Sequence, residues 1–140
     1  MSRISIPQPK NAAVVLITGK SRLLMLRKIN GNWVVPGGGI EKKDKSPFFA
    51  MKREFKEEVG SDLPKLEKKV PKFNYNGHTM IYVGRTKENI SFYPNTEVDE
   101  IYFPKLEDVL KDRMYVRGEK VTIEGYVLRS LRAGRKLGYY

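Results

Sequence analysis

The sequence predicts an α/β domain in which a mixed β-sheet lies between helices, and three observations carry that prediction. Short apolar segments with strand character lie both before and after a long segment that has helix signals at its two ends. A second helical segment follows near the end of the chain. Elements in this order place helices on both faces of a sheet. Residues 1–140 are predicted to form one domain, which is long enough to bury a core.

The first half of the chain predicts strands that lead into a glycine-rich segment. The predicted strands are residues 11–18, 22–27 and 33–36, separated by turns at 19–21 and 29–32. The first two strands are expected to pair as a hairpin. The third ends in three glycines, residues 37–39, which we expect to form a turn before the helix.

The first helix has clear signals at both ends. Ser46 followed by Pro47 is typical of an N-cap and a first helical residue. Gly60 is typical of the residue that ends a helix in the left-handed conformation. Apolar residues at helical spacing give the helix a face that can dock on a core: Phe48, Met51, Phe55 and Val59.

The second half predicts further strands and two helices. The predicted strands are residues 66–75, 79–85 and 100–103, with a turn at 76–77 and a possible short strand at 90–93. Pro71 makes the first of these an edge or interrupted strand. A short helix is expected at 106–111, and a long one at 121–135, where Ile123, Val127 and Leu131 recur at helical spacing.

Three carboxylates share one face at the end of the first helix. Glu54, Glu57 and Glu58 stand at i, i+3 and i+4. Charged helices of this composition are commonly just solvated faces. The glycine run before the helix and the apolar face beside the carboxylates favour a metal site instead. Oxygen ligands of this kind suit Mg²⁺ or Mn²⁺.

These residues resemble the signature of the Nudix hydrolase family, Gly-x5-Glu-x7-Arg-Glu-U-x-Glu-Glu-x-Gly-U, where U is aliphatic. Gly39 matches the first glycine, and Arg53-Glu54, Glu57-Glu58 and Gly60 fall in register, with Phe55 at the first U position.

Two positions depart from the signature. Lys45 stands where the first glutamate belongs, and Ser61 replaces the final aliphatic residue. Asp44 is adjacent and is a candidate to compensate for the missing glutamate. The departure bears on the tuning of the site more than on metal binding.

The resemblance implies an α/β/α sandwich and a metal-dependent enzyme that hydrolyses a nucleoside diphosphate linked to another group, or a comparable pyrophosphate. It implies catalytic roles for Arg53, Glu54 and Glu57, with Mg²⁺ or Mn²⁺ held by Glu54, Glu57, Glu58 and the carbonyl of Gly38. The family's general base is either a helix glutamate or a downstream acid, for which Glu97 and Glu100 are the candidates here.

Two short segments point toward one branch of the family, the diphosphoinositol polyphosphate phosphohydrolases. Residues 10–13 and 32–39 are similar to segments of that branch. The branch binds inositol pyrophosphates and dinucleoside polyphosphates with a cationic rim. The corresponding candidates for substrate binding are Lys10, Arg27, Lys28, Gly38, Gly39, Lys42 and Lys43.

Two alternatives stay open, a second enzymatic function and one from a different functional class. Lys42, Lys43 and Lys45 stand where that branch is usually more acidic, which is compatible with an mRNA-decapping enzyme acting on capped RNA. Basic residues of the last predicted helix would then contact the RNA backbone: Arg129, Arg132, Arg135 and Lys136. The third alternative is a catalytically silent module that binds polyanions.

Composition limits the partners and the compartment. The net charge of +11 favours a polyphosphorylated substrate or nucleic acid, although part of it can serve solubility alone. The absence of cysteine excludes disulfides and thiolate metal sites. The longest apolar run, residues 12–17, is too short to cross a membrane, and no signal-peptide core follows the first residues. We expect a cytoplasmic protein, or a nuclear one by passive entry; the sequence leaves the oligomeric state open.

Overall fold

Strand β1 (Asn11–Thr18) is central to the molecule because both of its faces are buried. Its odd-numbered residues from 13 to 17 pack into one apolar cluster, and its even-numbered residues from 12 to 16 pack into another. Successive side chains of a strand point to opposite faces of a sheet. A layer of structure must therefore cover each face of β1.

The computed structural model of the chain describes residues 8–67, 70–75 and 78–138, apart from the side chain of Tyr75. After β1 the elements are β2 (Met25–Lys28), β3 (Trp33–Val34), β4 (Gly37–Gly39), α1 (Pro47–Val59), β5 (Lys72–Tyr75), β6 (Thr79–Thr86), β7 (Val98–Tyr102), α2 (Leu106–Leu110), β8 (Met114–Val116), β9 (Glu119–Val121) and α3 (Gly125–Lys136).

Helix α1 covers one face of β1, whereas α2 and α3 belong to the cluster on the other face. The main sheet has the order β4-β1-β6-β5, in which β1 and β6 are parallel and the other pairs antiparallel. A second sheet has the order β3-β2-β7, and β8 and β9 form a separate hairpin. The predicted α/β/α sandwich with a mixed sheet is confirmed.

The boundaries of α1 follow the sequence signals. The Ser46 side chain accepts a hydrogen bond from the amide of Phe49, and Pro47 occupies the first turn. Gly60 ends the helix with a φ of 86°, in the left-handed region that glycine adopts without a steric penalty.

The predicted hairpin between residues 11–18 and 22–27 is wrong beyond its first residues. Leu23 bridges Ile17, and the amide of Leu24 donates to the carbonyl of Leu16, after which β2 leaves β1 and pairs with β3 and β7. Residues 23–26 are at most 1 % exposed, so both faces of this segment need covering. A second sheet provides that cover where a simple hairpin would not.

The three glycines at 37–39 form strand β4 rather than the predicted turn, pairing antiparallel with the start of β1. The missing side chains make this possible. A Cβ atom on Gly37 would lie 2.5 Å from the Cβ of Ala13, and one on Gly38 would lie 2.5 Å from Cδ of Glu54. Strand β4 can therefore lie closely between β1 and the carboxylate face of α1.

The second half differs from prediction at several element boundaries. Within the described residues the predicted strand 66–75 is regular only at β5, which begins after Pro71, and residues 90–93 are not a strand. The turn predicted at 76–77 lies outside the described residues. The predicted strand 100–103 is observed as β7, and helix 106–111 as α2.

The β8–β9 hairpin was not predicted and shortens the last helix, which begins at Gly125 rather than at residue 121. Its turn contains Arg117 and Gly118, with φ values of 50° and 83°. Two successive positive φ angles suit a tight two-residue hairpin. None of the helices in the described ranges combines the length and the apolar character that a membrane span requires.

Phe55→Ala should lower the free energy of unfolding by about 3–5 kcal/mol, because it empties a fully buried position between α1 and the sheet. The control is Phe49→Ala on the same helix, where the ring is 50 % exposed; it should cost under about 1 kcal/mol. Urea unfolding of both variants measures the difference. Equal losses would contradict the assigned orientation of α1.

Candidate active site

Glu58, in the last turn of α1, is fully buried, and both of its oxygens are bound. Oε1 accepts a hydrogen bond from the amide of Gly37 at 2.8 Å, and Oε2 accepts one from Nζ of Lys28 at 2.6 Å. Burial raises the pKa of Glu58, and these two hydrogen bonds counteract it. Burial alone would lower the pKa of Lys28, but the hydrogen bond to Glu58 together with the charges of Glu58, Glu97 and Glu54 makes the net shift upward. The pair joins α1 to β2 and β4.

Arg53 gathers the other acidic groups of the site. Its Nη1 donates to Oε1 of Glu54 at 3.0 Å and to Oε1 of Glu57 at 3.3 Å. Its Nε and Nη2 donate to the two oxygens of Asp44 at 3.1 and 2.9 Å. Nη2 also donates to the carbonyl of Gly39 at 3.0 Å. One guanidinium thus fixes helix carboxylates, the preceding loop and β4 relative to one another.

Asp44 takes part in the network where the signature's first glutamate is missing. Besides Arg53, it binds the amide of Glu41 at 2.8 Å. The hydrogen bond from Arg53 is the main cause that lowers the pKa of Asp44 to about 2. Lys45 instead lies near Phe49, with its Nζ 6.0 Å from the centre of the ring. The departure at Lys45 therefore leaves the Arg53 network supplied with an acidic partner.

The Glu54 carboxylate lies directly against the backbone of Gly38, so close that any side chain there would collide with it. Burial raises the pKa of Glu54; the hydrogen bond from Arg53 lowers it, and the charge of Glu57 raises it further. The Glu54 side chain is thus largely buried against β4, whereas the Glu57 side chain is half exposed.

The donor set fits a hard divalent cation. Oxygens of Glu54 and Glu57 meet at a single nitrogen of Arg53, so both are within reach of one ion, and carboxylate oxygens are the ligands that Mg²⁺ and Mn²⁺ prefer. In the described part of the chain no three His, Cys, Asp or Glu side chains form a ready metal-binding group. Arg53 and Lys28 hold oxygens of these helix carboxylates through hydrogen bonds.

The two downstream acids have different surroundings. Oε2 of Glu97 lies 4.0 Å from Nζ of Lys28, and its charge contributes to the raised pKa of Glu54. Glu100 instead forms a bidentate pair with Arg117 at 2.8 and 3.1 Å, which lowers the pKa of Glu100. The structure thus brings Glu97 to the carboxylates, while Glu100 links β7 to the β8–β9 hairpin.

The predicted cationic rim is divided between two places. Lys10 accepts a bond from the amide of Ile40 through its carbonyl, which puts it beside the end of β4, and Lys42 and Lys43 lie in the loop that follows. Arg27 lies on β2, where it pairs with Asp99 at 2.9 Å. Only Lys28 among the predicted cations directly contacts a site carboxylate.

A cleft of about 760 Å³ opens beside Arg27 between the second sheet and the β8–β9 hairpin, lined also by Trp33, Lys120 and Glu124. Sequence reasoning missed Glu124, which it placed inside a helix; Glu124 is the residue before α3 begins. Burial strongly raises the pKa of the neighbouring Tyr126, to which the charges of Glu124 and Glu58 also contribute. Glu124 therefore lines the cleft together with Arg27.

Asn95 was also missed. Its side chain bonds the carbonyl of Glu58 at 2.8 Å and accepts from the amide of Glu97 at 2.9 Å. The only local signal was the sequence Pro94-Asn95, which is typical of a turn.

Comparison with known proteins agrees with this fold. An RNA pyrophosphohydrolase of Marinomonas sp. (strain MWYL1) is 41 % identical over 58 residues, which are 41 % of this chain and 35 % of that protein. The chain thus matches only about a third of the length of this curated relative.

Solved structures resemble the chain over nearly all its length. A binary complex of a C. elegans Ap4A hydrolase superposes with a TM-score of 0.65 at 20 % identity, covering 94 % of this chain and 100 % of that one. A UDP-X diphosphatase superposes with a TM-score of 0.62 at 18 % identity, covering 96 % and 66 %. At these identities the likeness is one of fold. The model of the NUDIX domain family matches residues 7–124, and the chain belongs to the Nudix family, the predicted family of pyrophosphohydrolases.

Proposed function

We propose that this protein is a metal-dependent hydrolase that cleaves phosphoanhydride bonds by attack of water at phosphorus. The strongest support is the convergence of Glu54 and Glu57 on Arg53, within a Nudix domain. The buried Glu58 lies in the same helix turn and pairs with Lys28. A pyrophosphate repels an approaching nucleophile through its own negative charge. A site that combines oxygen ligands for a metal with fixed cations reduces this repulsion, because the positive charges neutralise phosphate oxygens.

Each group of the site has a proposed role. Glu54, Glu57, Glu58 and the carbonyl of Gly38 would hold Mg²⁺ or Mn²⁺, which when bound neutralises phosphate oxygens and lowers the pKa of the attacking water. Arg53 keeps the carboxylates in position through its hydrogen bonds. At Gly39, where a Cβ atom would meet nothing within 4 Å, strand β4 leaves room for a phosphate group to approach the backbone.

The bond changes balance without a further reactant. The water oxygen forms a bond to phosphorus, the bridging phosphorus–oxygen bond breaks, and the leaving phosphate or nucleotide keeps its electron pair. Glu97 is the proposed acceptor of the water proton, since it lies near the carboxylates with its side chain 56 % exposed. Glu100 is the weaker candidate because Arg117 already holds both of its oxygens.

The proposed substrate is a polyphosphorylated small molecule, either a dinucleoside polyphosphate or an inositol pyrophosphate. Three cations near the end of β4 support this: Lys10, Lys42 and Lys43. Arg27 and Lys28 on β2 contribute less, since they pair with Asp99 and Glu58. The Ap4A hydrolase of similar fold acts on a dinucleoside polyphosphate, as its name states. The inositol pyrophosphate proposal rests on residues 10–13 and 32–39 alone.

RNA with a phosphorylated or capped 5′ end is the second candidate, favoured by the similarity to an RNA pyrophosphohydrolase. The far end of α3 offers a surface for an RNA backbone: a cleft of about 450 Å³ is lined by Lys111, Arg132, Arg135 and Lys136, with Glu107 as an acidic member. Arg135 pairs with Glu107 at 2.9 Å, which reduces the charge available there.

Hydrolysis should require Mg²⁺ or Mn²⁺ and stop on addition of a chelator. Glu57→Gln should lower kcat at least ~100-fold, because it removes a charged ligand from the site. The half-exposed position of Glu57 makes loss of folding an inadequate explanation. Glu67→Gln is the control, since Glu67 pairs with Arg85 instead of with the site network; it should leave kcat within about twofold. Near-native turnover of Glu57→Gln would exclude this face as the metal site.

The pKa of Asp44 should depend on Arg53. In Arg53→Gln it should rise from about 2 toward its ordinary value, since the charged hydrogen bond is lost. Because the folded-state pKa lies below the unfolded one, the interaction stabilises the fold at neutral pH. That contribution should fade as the pH falls from the unfolded value through about 2. Carboxyl-carbon NMR titration measures the shift. Arg85→Gln is the control, and an unchanged Asp44 titration in Arg53→Gln would refute the assignment.

A substrate panel separates the two substrate classes. We expect the protein to hydrolyse a dinucleoside polyphosphate or an inositol pyrophosphate. The double variant Arg132→Glu/Arg135→Glu should change this turnover less than about threefold, because both residues lie at the opposite end of α3 from Glu124. RNA binding along that surface should instead weaken with a log–log salt slope of about −0.7 per neutralised phosphate. Cleavage confined to long RNA, abolished by the double charge reversal, would replace the small-molecule proposal.

A further inference from the structure

One amide side chain joins the end of α1 to the segment that carries Glu97. Nδ2 of Asn95 donates to the carbonyl of Glu58 at 2.8 Å and to that of Tyr93 at 3.3 Å. Oδ1 accepts from the amides of Glu97 at 2.9 Å and Val98 at 3.0 Å. These four contacts use the full hydrogen-bonding capacity of the side chain, two donors and two acceptor positions. Asn95 is therefore held in one orientation from both ends.

The carbonyls that this segment binds belong to the catalytic end of α1. The last four carbonyls of a helix have no partner within it. Here Gly60 donates to the carbonyl of Lys56 at 2.9 Å, and the amide of Tyr93 donates to that of Val59 at 2.9 Å. The carbonyl of Glu58, which lies between those two residues in the helix, accepts a hydrogen bond from the Asn95 side chain. The segment 93–95 thus caps the turn of α1 that presents the site carboxylates.

Glu97 itself depends on its backbone for position. Its carbonyl accepts from the amide of Ile29 at 3.0 Å, next to Lys28, and its carboxylate lies 4.0 Å from Nζ of Lys28. The side chain is 56 % exposed, so little packing restrains its rotamers. The direction in which it projects is set where the chain turns, and the Asn95 side chain closes that turn.

We propose that Asn95 is a positioning residue for the hydrolysis: it couples the Glu97 carboxylate to the metal-binding end of α1, so that the base and the carboxylates move as one unit. This inference rests on the proposed function. It assigns Asn95 no contact with substrate. A displacement of about 1 Å can cost on the order of 100-fold in rate, so the hydrogen bonds of this one side chain are enough to affect the rate of hydrolysis.

The chain provides a matched control for a purely structural role. Oγ of Ser61 donates to the carbonyl of Ser91 at 2.6 Å, which ties the same helix end to the same connection. That bond lies farther along the chain from Glu97 than the Asn95 contacts do. Ser61→Ala and Asn95→Ala both loosen the connection, but only the second removes the side-chain bonds to the amides of Glu97 and Val98, while the backbone bond from the amide of Asn95 to the carbonyl of Val98 stays.

The experiment is a double-mutant cycle with Asn95→Ala and Glu97→Gln, together with Ser61→Ala, read out as kcat and KM on a dinucleoside polyphosphate with Mg²⁺. Asn95→Ala should lower kcat about 10- to 100-fold with KM changed less than about threefold. In the Glu97→Gln background the same substitution should cost less than about threefold, since its target is already gone. Ser61→Ala should stay within about twofold. Asn95→Asp, which keeps the acceptor for Glu97 and loses the donor to Glu58, serves if Asn95→Ala does not fold, and should also lower kcat at least about tenfold.

Multiplicative losses in the double variant, or an equal loss in Ser61→Ala, would overturn the proposal. Hydrogen exchange at the Glu97 amide, followed in the same variants, is a second measurement that does not depend on turnover. Protection there should fall in the Asn95 variant and persist in Ser61→Ala; unchanged protection in both refutes the positioning. A wild-type protein that is inert on every phosphoanhydride refutes the proposed function, and the exchange rates still decide whether Asn95 fixes Glu97.

Discussion

The ion pair between the buried Glu58 and the partly exposed Lys28 is the interaction on which the rest of the site depends. A carboxylate with no exposure must be paired and hydrogen-bonded, because an isolated buried charge is very costly. The amide of Gly37 and the ammonium of Lys28 meet that requirement, and they come from two different sheets. Satisfying one carboxylate therefore fixes β2, β4 and α1 relative to one another, and Arg53 extends the same arrangement outward to the preceding loop.

Local signals predicted some parts of this structure to the residue, and non-local contacts decided the rest. The ends of α1 were predicted correctly from Ser46, Pro47 and Gly60, because capping interactions act within one turn of the helix. The glycines at 37–39 suggested a turn, yet their smallness serves a close approach to β1 and Glu54, which no local pattern encodes. Asn95 escaped notice because its partner Glu58 lies 37 residues away. The sequence patterns identified the carboxylates, whereas the contacts that Lys28, Gly37 and Asn95 make with Glu58 became visible only in the fold.

The net charge of +11 favoured a polyphosphorylated substrate or nucleic acid, but the number of charges in the chain does not determine the electrostatic field at the site. Several cations nearby are engaged with carboxylates: Lys28 with Glu58, Arg27 with Asp99, and Arg117 with Glu100. Such pairs position side chains more than they leave charge to attract an anion. Pairing is a property of the folded arrangement, so composition alone cannot reveal which lysines and arginines face a substrate.

The parallel pairing of β1 with β6 has a consequence for how the protein is made. Strand β1 aligns with residues 79–86, so this parallel partner is missing until those residues have been synthesised. Such distant pairing is slow and leaves hydrophobic surface exposed in the meantime, which favours aggregation of incomplete chains. The helix with the carboxylates leaves the ribosome before the segment that caps it. A nascent chain therefore carries the acidic face of α1 for some time before Asn95 and Glu97 can join it.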